Sequence, residues 1–489
     1  MDRWRGFLPH ELLMIFNSID FLLFFPVVYI LYIYSSHKSQ NLILLFASYF
    51  FYACWDYRFL SLIFLSTAID YFTSIGIDSN PLGSRKRKLF VTISIVSNLG
   101  ILGFFKYYNF FMKNAKVLLE SMGIQVNPGF LELILPLGIS FYTFQTMSYT
   151  IDVYRGDLKP TRSLINFALY VSFFPQLVAG PIERASRLLP QITQKRTIRW
   201  QNLQQGTFLI LLGYFKKVYV ADNLALVINP IFATSNGVYV EDPSGAQVAL
   251  AIFAFFFQIY CDFSGYSNIA RGISKYMGFE LMQNFKLPAF GVNIIDVWKR
   301  WHISLTTWLR DYIYHPLGGS RVSPVRQHMN NIVVFFASGL WHGANWTYIT
   351  WGVYNGILTS IYRIVQPLLP HLPGDENRVI RPIKTITKTA FTFVLFGYSG
   401  LFFRSETMTQ AFDYTSKIFT DFGQVKATSL DAVVRALALL LVIELYQHIK
   451  DDEFSVFQWP VWARTLVYTL MFYSIVSLGS YNGFIYFVF

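Results

Sequence analysis

Apolar windows of about 18 to 25 residues recur along nearly the whole chain, and they limit what it can fold into more than any other feature. A hydrocarbon core about 30 Å thick demands helices of that length, because no water is present there to satisfy a backbone N–H or C=O. Only 14% of the 489 residues are charged, against about 25% in ordinary soluble domains. So little charge cannot solvate a globular surface of this size. The chain therefore reads as an all-α, polytopic integral membrane protein with lipid around it. Candidate spans fall at 16–34, 41–54, 60–77, 89–105, 134–154, 164–177, 206–232, 245–263, 331–341, 346–364, 388–403, 430–449 and 462–488. Several are too short to cross, and the expectation is about eleven crossings plus helices that enter without traversing.

The net charge is +12, from 40 Lys+Arg against 28 Asp+Glu, and the excess sits in loops such as SRKRK (84–88) and QKRTIR (194–199). This is the pattern of cytoplasmic loops retained by the positive-inside rule, and it is preferred to a nucleic-acid partner. Cys54 and Cys261 are the only cysteines, which leaves no disulfide framework and no CxxC metal signature. The first apolar run, FLLFFPVVYILYIY (21–34), has no small-residue cleavage site after it and is kept as a membrane helix. No linker, repeat or low-complexity tract divides the chain, so 1–489 is taken as one membrane domain.

The least hydrophobic inner region is 264–331, expected to hold re-entrant and amphipathic helices, with IDVWKRWHISLTTWLRDYIYHPLGG (295–319) at its core. Trp298, Trp301, Leu305, Trp308 and Tyr312 recur at three- and four-residue steps, predicting one amphipathic helix that Pro316 and Gly318-Gly319 stop. Lys299, Arg300, Thr307, Arg310 and Asp311 fall mainly on its other sides. His302 lies one turn from Trp298 and Thr306, at the boundary between the two faces.

Of the eight histidines, His10, His37, His371 and His448 lie near the start, in loops or at helix ends, and His315 and His328 flank the Gly-Gly turn. His342 stands apart, in SGLWHGANWTYITWG (338–352), among aromatic rings in a run that otherwise reads as membrane. An ionisable side chain at membrane depth is costly and is a functional-site hypothesis by default, although a packing histidine bonded to a carbonyl is the plainer reading. Gly339, Gly343 and Ala344 leave space beside it for another backbone or a ligand. A neutral imidazole in a dry pocket suits general-base work, taking the proton of an acceptor hydroxyl as that oxygen attacks an activated acyl group. Lys299, Arg300 and Arg310 are candidates for the phosphates of a carrier, against the plainer reading that they snorkel. Trp298, Trp341 and Asn345 complete the candidate donor site. His302 and His342 are forty positions apart, and HExxH, Walker A and GxGxxG motifs are absent, so no metal is expected. DFSGYS (262–267) lacks the G-x-S-x-G elbow of a serine hydrolase.

WKRWHISLTTWLRDYIYHPLGG followed by SGLWHGANWTYITWG resembles the membrane-bound O-acyltransferases, in particular the bacterial alginate O-acetyltransferase branch. LPLGISFYTFQTMSYTIDVYRG (135–156), FPQLVAGPIER (174–184), YCDFSGYSNIARG (260–272) and the ending GFIYFVF extend the likeness over 14–489. Residues 1–13 precede the usual family start, so either Met14 is the natural initiator or the extension is a short surface helix. The resemblance implies transfer of an acetyl group from a cytoplasmic thioester, acetyl-CoA or an acyl carrier, toward an extracytoplasmic polysaccharide, often through an acyl-accepting partner protein. It makes His342 the catalytic histidine and His302 the second important one, beside a tunnel joining the two sides of the bacterial cytoplasmic membrane, with no permanently bound cofactor. D-alanyl transfer to teichoic acid by a sister branch is the neighbouring alternative. A transporter or channel without acyl chemistry, and an inactive scaffold, are the alternatives from other classes.

Overall fold

Most of the predicted spans are helical, but the last, 462–488, is helical only as far as Ser477 among the described residues; the breaks between helices are made by capping side chains, π turns and proline. The computed structural model describes residues 14–127, 129–178, 180–235, 238–368 and 380–483. The extension 1–13, most of the polar connection 367–378 and all but Gly483 of the GFIYFVF ending lie outside them. Helices α1 (Ile19–Ile33), α2 (His37–Asp56) and α3 (Leu60–Asp78) follow the first three windows, and α4 (Arg85–Leu102) runs through a π turn into α5 (Tyr108–Ser121). Next come α6 (Ile139–Arg155), α7 (Leu164–Ser172), α8 (Phe174–Leu177) and α9 (Ala185–Thr193), then α10 (Trp200–Tyr214), joined by the π turn Phe215–Ala221 to α11 (Asp222–Phe232). After a two-residue antiparallel ladder, Thr234–Ser235 with Val238–Tyr239, helix α12 (Gly245–Tyr276) is the longest at 32 residues, about 48 Å of rise. The window 245–263 therefore ends too early, because the helix continues into what reads as the polar inner region. Helices α13 (Ile294–Arg300), α14 (Ile303–Leu309), α15 (Pro324–His342), α16 (Trp346–Val365), α17 (Ile380–Arg404), α18 (Met408–Thr420), α19 (Ala427–Lys450) and α20 (Val461–Ser477) complete the order.

Among the described residues four stretches are long and apolar enough to cross a membrane, His37–Asp78, Arg85–Ser121, Gly245–Tyr276 and Arg381–Arg404. The protein is an all-helical, polytopic membrane protein. The chain divides into two compact units, Met1–Thr207 with Ala270–Met282, and Phe208–Ile269 with Gln283–Phe489.

In the first unit Leu23, Phe46, Phe72 and Val96 are exposed on the outward faces of α1 to α4, surfaces that suit lipid tails rather than water. The inward faces are polar. Asp70 on α3 is fully buried and accepts hydrogen bonds from Ser94 and, at 2.9 Å, from Asn98 on α4, and at 3.0 Å from Thr150 on α6. One carboxylate thus joins three helices. Arg87 closes the same group by donating to the carbonyls of Ile77 and Tyr154, at the ends of α3 and α6.

In the second unit α15 and α16 pack as an antiparallel pair with almost no side chain between them. A Cβ on Gly339 would lie 2.4 Å from the Tyr348 carbonyl oxygen, and one on Gly352 would lie 2.2 Å from that of Phe335. Small residues let two backbones touch where packing, not hydrophobicity, drives association. Asn331 adds a bond from its amide to the Gly356 carbonyl at 2.9 Å. The space beside His342 is thus taken at Gly339 by the backbone of α16 and at Gly343 by the Tyr348 ring. Gly352→Val is expected to force the pair apart, costing about 1–3 kcal/mol or more, read as a lower melting temperature and a smaller monodisperse fraction in detergent. Wild-type melting in that variant would contradict the packing.

Candidate active site

The predicted helix over 295–319 is in fact broken, and the break is where His302 sits. Asn293 starts α13 by accepting a hydrogen bond from the Asp296 amide at 2.9 Å, and Asp296 reaches back to the Val292 amide at 3.1 Å. Helix α13 then ends at Arg300, Trp301 is extended, and His302 takes the left-handed conformation at φ 43°. A side chain other than glycine pays for that conformation. The reason for the break is tertiary. The Ile303 amide bonds to the Asn284 carbonyl at 2.9 Å, the Ser304 amide to Asn284 Oδ1 at 3.2 Å, and the Arg300 carbonyl accepts from the Lys286 amide at 2.9 Å. These groups would otherwise pair along a continuous helix, so the irregular segment carrying Asn284 and Lys286 replaces one set of hydrogen bonds by another. The helix resumes as α14 and widens into a π turn, Arg310–Tyr314, before Pro316. The aromatic stripe is nevertheless buried: Trp298 contacts Phe335, Trp351 and Phe396, and Trp301 contacts Phe256 and Phe396.

His342 is the last residue of α15, and Asn345 starts α16 by accepting from the Thr347 amide at 3.2 Å. The turn between these helices brings His342 to His302, with ring centroids 6.3 Å apart. Both rings are almost fully buried, at 3% and 1% exposure. Trp341 stands edge-on to both, 5.6 Å from His302 and 5.0 Å from His342. Trp351 and Phe403 flank His342 at 5.0 and 5.2 Å, while Phe263 flanks His302 at 4.7 Å. Burial disfavours the imidazolium and pushes His302 down to about 3, so its ring is neutral. His342 also borders a cavity of about 30 Å³ walled by Phe256, Trp301, Trp351, Phe396 and Phe403, enough for a water or a small group.

The other candidates are less central. Lys299 is exposed on α13, Arg310 is exposed and paired with Asp311 at 2.8 Å, and Arg300 is half-buried and tied to Asp296 at 2.9 Å. Asn345 is committed to the helix cap and to the Glu406 carbonyl at 3.0 Å. Trp298 and Trp341 belong to the aromatic wall. Among the described residues no three of His, Cys, Asp and Glu are grouped to hold a metal ion.

Sequence reading missed the polar groups underneath this wall. In the π turn after α10, buried Lys216 pairs with Glu444 at 2.7 Å and with the Tyr260 hydroxyl at 2.9 Å. Its neighbour Lys217 pairs with Asp222 and Asp262, each at 2.7 Å. Asp262 of DFSGYS is therefore an ion-pair partner, and Ser267 of the same block faces the Asn284 amide at 3.5 Å. Adjacent lysines inside the predicted span 206–232 were the available signal, since charges at membrane depth are rare unless paired or functional. Asn284 left none.

The model of the membrane-bound O-acyltransferase family matches residues 158–404, a stretch containing both histidines, and half of the chain. The chain belongs to the membrane-bound O-acyltransferase family. This membrane-bound O-acyltransferase is 39% identical over 420 residues to the probable alginate O-acetylase AlgI of Pseudomonas aeruginosa, covering 86% of this chain and 77% of that protein. It is 36% identical to a peptidoglycan O-acetyltransferase of Helicobacter pylori, over 81% of this chain and 78% of that one. Likeness to a teichoic acid D-alanyltransferase of Bacillus subtilis is 30%, over 54% and 67%. Membership makes the protein an acyltransferase, not a transporter or channel.

The left-handed backbone at His302 has a measurable consequence. Asparagine tolerates this region and β-branched residues do not, so His302→Val is expected to melt lower than His302→Asn by about 1 kcal/mol of stability. Equal melting of the two variants would contradict the strained geometry.

Proposed function

We propose that this acyltransferase takes an acetyl group from acetyl-CoA on the cytoplasmic side and delivers it toward hydroxyls of an extracytoplasmic polysaccharide, directly or through an acyl-accepting partner protein. It works in the bacterial cytoplasmic membrane, with His342 as general base and His302 as its assisting neighbour. The observation that carries this reading is the convergence of two imidazoles, 6.3 Å apart, in an aromatic enclosure where His342 borders a small cavity. His342 takes the acceptor hydroxyl proton while the oxygen bonds to the acyl carbon. The carbon–sulfur bond then breaks, and the departing thiolate receives the proton from the imidazolium. Exclusion of water protects the thioester from hydrolysis while the transfer proceeds.

Acetyl is favoured over D-alanyl by the relatives: the two O-acetyl-transferring proteins align with 86% and 81% of this chain, the D-alanyltransferase with 54%. The cavity admits a group of acetyl size and no carrier arm, so donor entry moves Phe256 and Phe396, which wall it from α12 and α17. Lys299 and Arg310, exposed on the short helices next to His302, meet the phosphates of the carrier.

Transfer of labelled acetyl from acetyl-CoA to surface glycan is expected to fall by about 10²- to 10⁴-fold in His342→Ala, with folded protein at wild-type abundance. Retained transfer would remove His342 from its role.

A further inference from the structure

We infer that Asn284 is a positioning residue that holds His302 as the neutral tautomer protonated on Nδ1, so that Nε2 is the nitrogen able to accept a hydrogen bond in the site. The inference rests on the acyl-transfer reading above and assigns a nitrogen within it. It starts from the side-chain orientation of Asn284. Its Oδ1 accepts from the Ser304 amide at 3.2 Å and from the Ser304 hydroxyl at 2.9 Å. A backbone N–H can only donate, so the atom facing it is the amide oxygen and not the nitrogen. The same oxygen lies 3.3 Å from His302 Nδ1. An oxygen without a proton only accepts, hence Nδ1 carries the hydrogen, and in a neutral ring the lone pair is then on Nε2.

Three features make the arrangement more than a helix cap. The Asn284 carbonyl also binds the Ile303 amide at 2.9 Å, so backbone and side chain of one residue hold three consecutive residues, His302 to Ser304, on the α14 side of the break. His302 is held in a left-handed conformation that a simple helix start does not require. Burial keeps the ring neutral, the state in which tautomer choice matters. A neutral His302 of this tautomer gives its N–H to Asn284 and has none on Nε2. It is therefore a hydrogen-bond acceptor there and not a donor to an oxyanion. The Asn284–His302 bond thus stands to the imidazole as an orienting group stands to a base in other hydrolytic and transfer sites.

The test uses the full-length protein in lipid, with ¹⁵N-histidine labelling and acetyl-CoA as donor. Asn284→Leu removes the acceptor at similar volume. The expected result is a loss of the Nδ1–H signature of His302, assigned by its disappearance in His302→Asn, and a kcat lower by about 10- to 100-fold with KM for acetyl-CoA little changed. Asn284→Asp keeps an acceptor oxygen and is expected to restore the tautomer and most of kcat. Ser304→Ala, which weakens the same cap without touching the histidine bond, is expected to keep both. Wild-type kcat and an unchanged His302 spectrum in Asn284→Leu would overturn the inference, as would an equal loss of kcat in Ser304→Ala with the tautomer intact. His342→Ala run alongside separates the two levels. If it stays active the acyl-transfer reading fails, while the spectrum still decides what Asn284 does to His302.

Discussion

A backbone N–H buried away from water must find an acceptor, and this requirement governs how a helical membrane protein can expose anything but helix to a reaction. Here the chain interrupts a helix at Trp301 and His302, and the groups released there are taken up by Asn284 and Lys286 from a neighbouring irregular segment. Without those partners the stretch from Ile294 to Leu309 would gain by closing into one continuous helix, and His302 would turn with the helical period. With them, the imidazole is set at a fixed backbone angle inside the second unit.

The surroundings of the two imidazoles are largely aromatic. Aromatic edges from Trp341, Trp351, Phe403 and Phe263 surround the two rings, and burial keeps the His302 ring neutral. Charge is present in the unit but is committed elsewhere. Lys216 and Lys217 are matched by Glu444, Asp222 and Asp262, and removing one partner of a buried pair costs about 3–5 kcal/mol because the other is left uncompensated. These pairs fix the π turn after α10 and the middle of α12, the helix that supplies Phe256 and Phe263 to the enclosure.

Much of this was legible in the residues, for reasons of length and period. Apolar windows of spanning length announced the helices, and the Trp298–Trp301–Leu305–Trp308 spacing correctly marked a buried stripe. His342 stood out because an imidazole in an apolar run needs a reason. What periodicity could not reveal was long-range pairing: a contact between Asn284 and residues 302–304 overrides the local helical pattern, and a single asparagine in LMQNFKLP carries no local sign of it. The same holds for the glycines of α15 and α16. Their small size was evident, while the choice between a ligand and a second backbone as neighbour was made by tertiary packing.

The claim that bears the rest is that the acyl group is delivered to the cavity beside His342. An image of the protein in lipid nanodiscs with a non-transferable thioether analogue of acetyl-CoA tests it most directly. The account predicts the acetyl carbon within hydrogen-bonding reach of the His342 ring, with Phe256 and Phe396 displaced to admit the carrier arm. An analogue bound with its acetyl end elsewhere, and the aromatic enclosure still closed around both histidines, would contradict it.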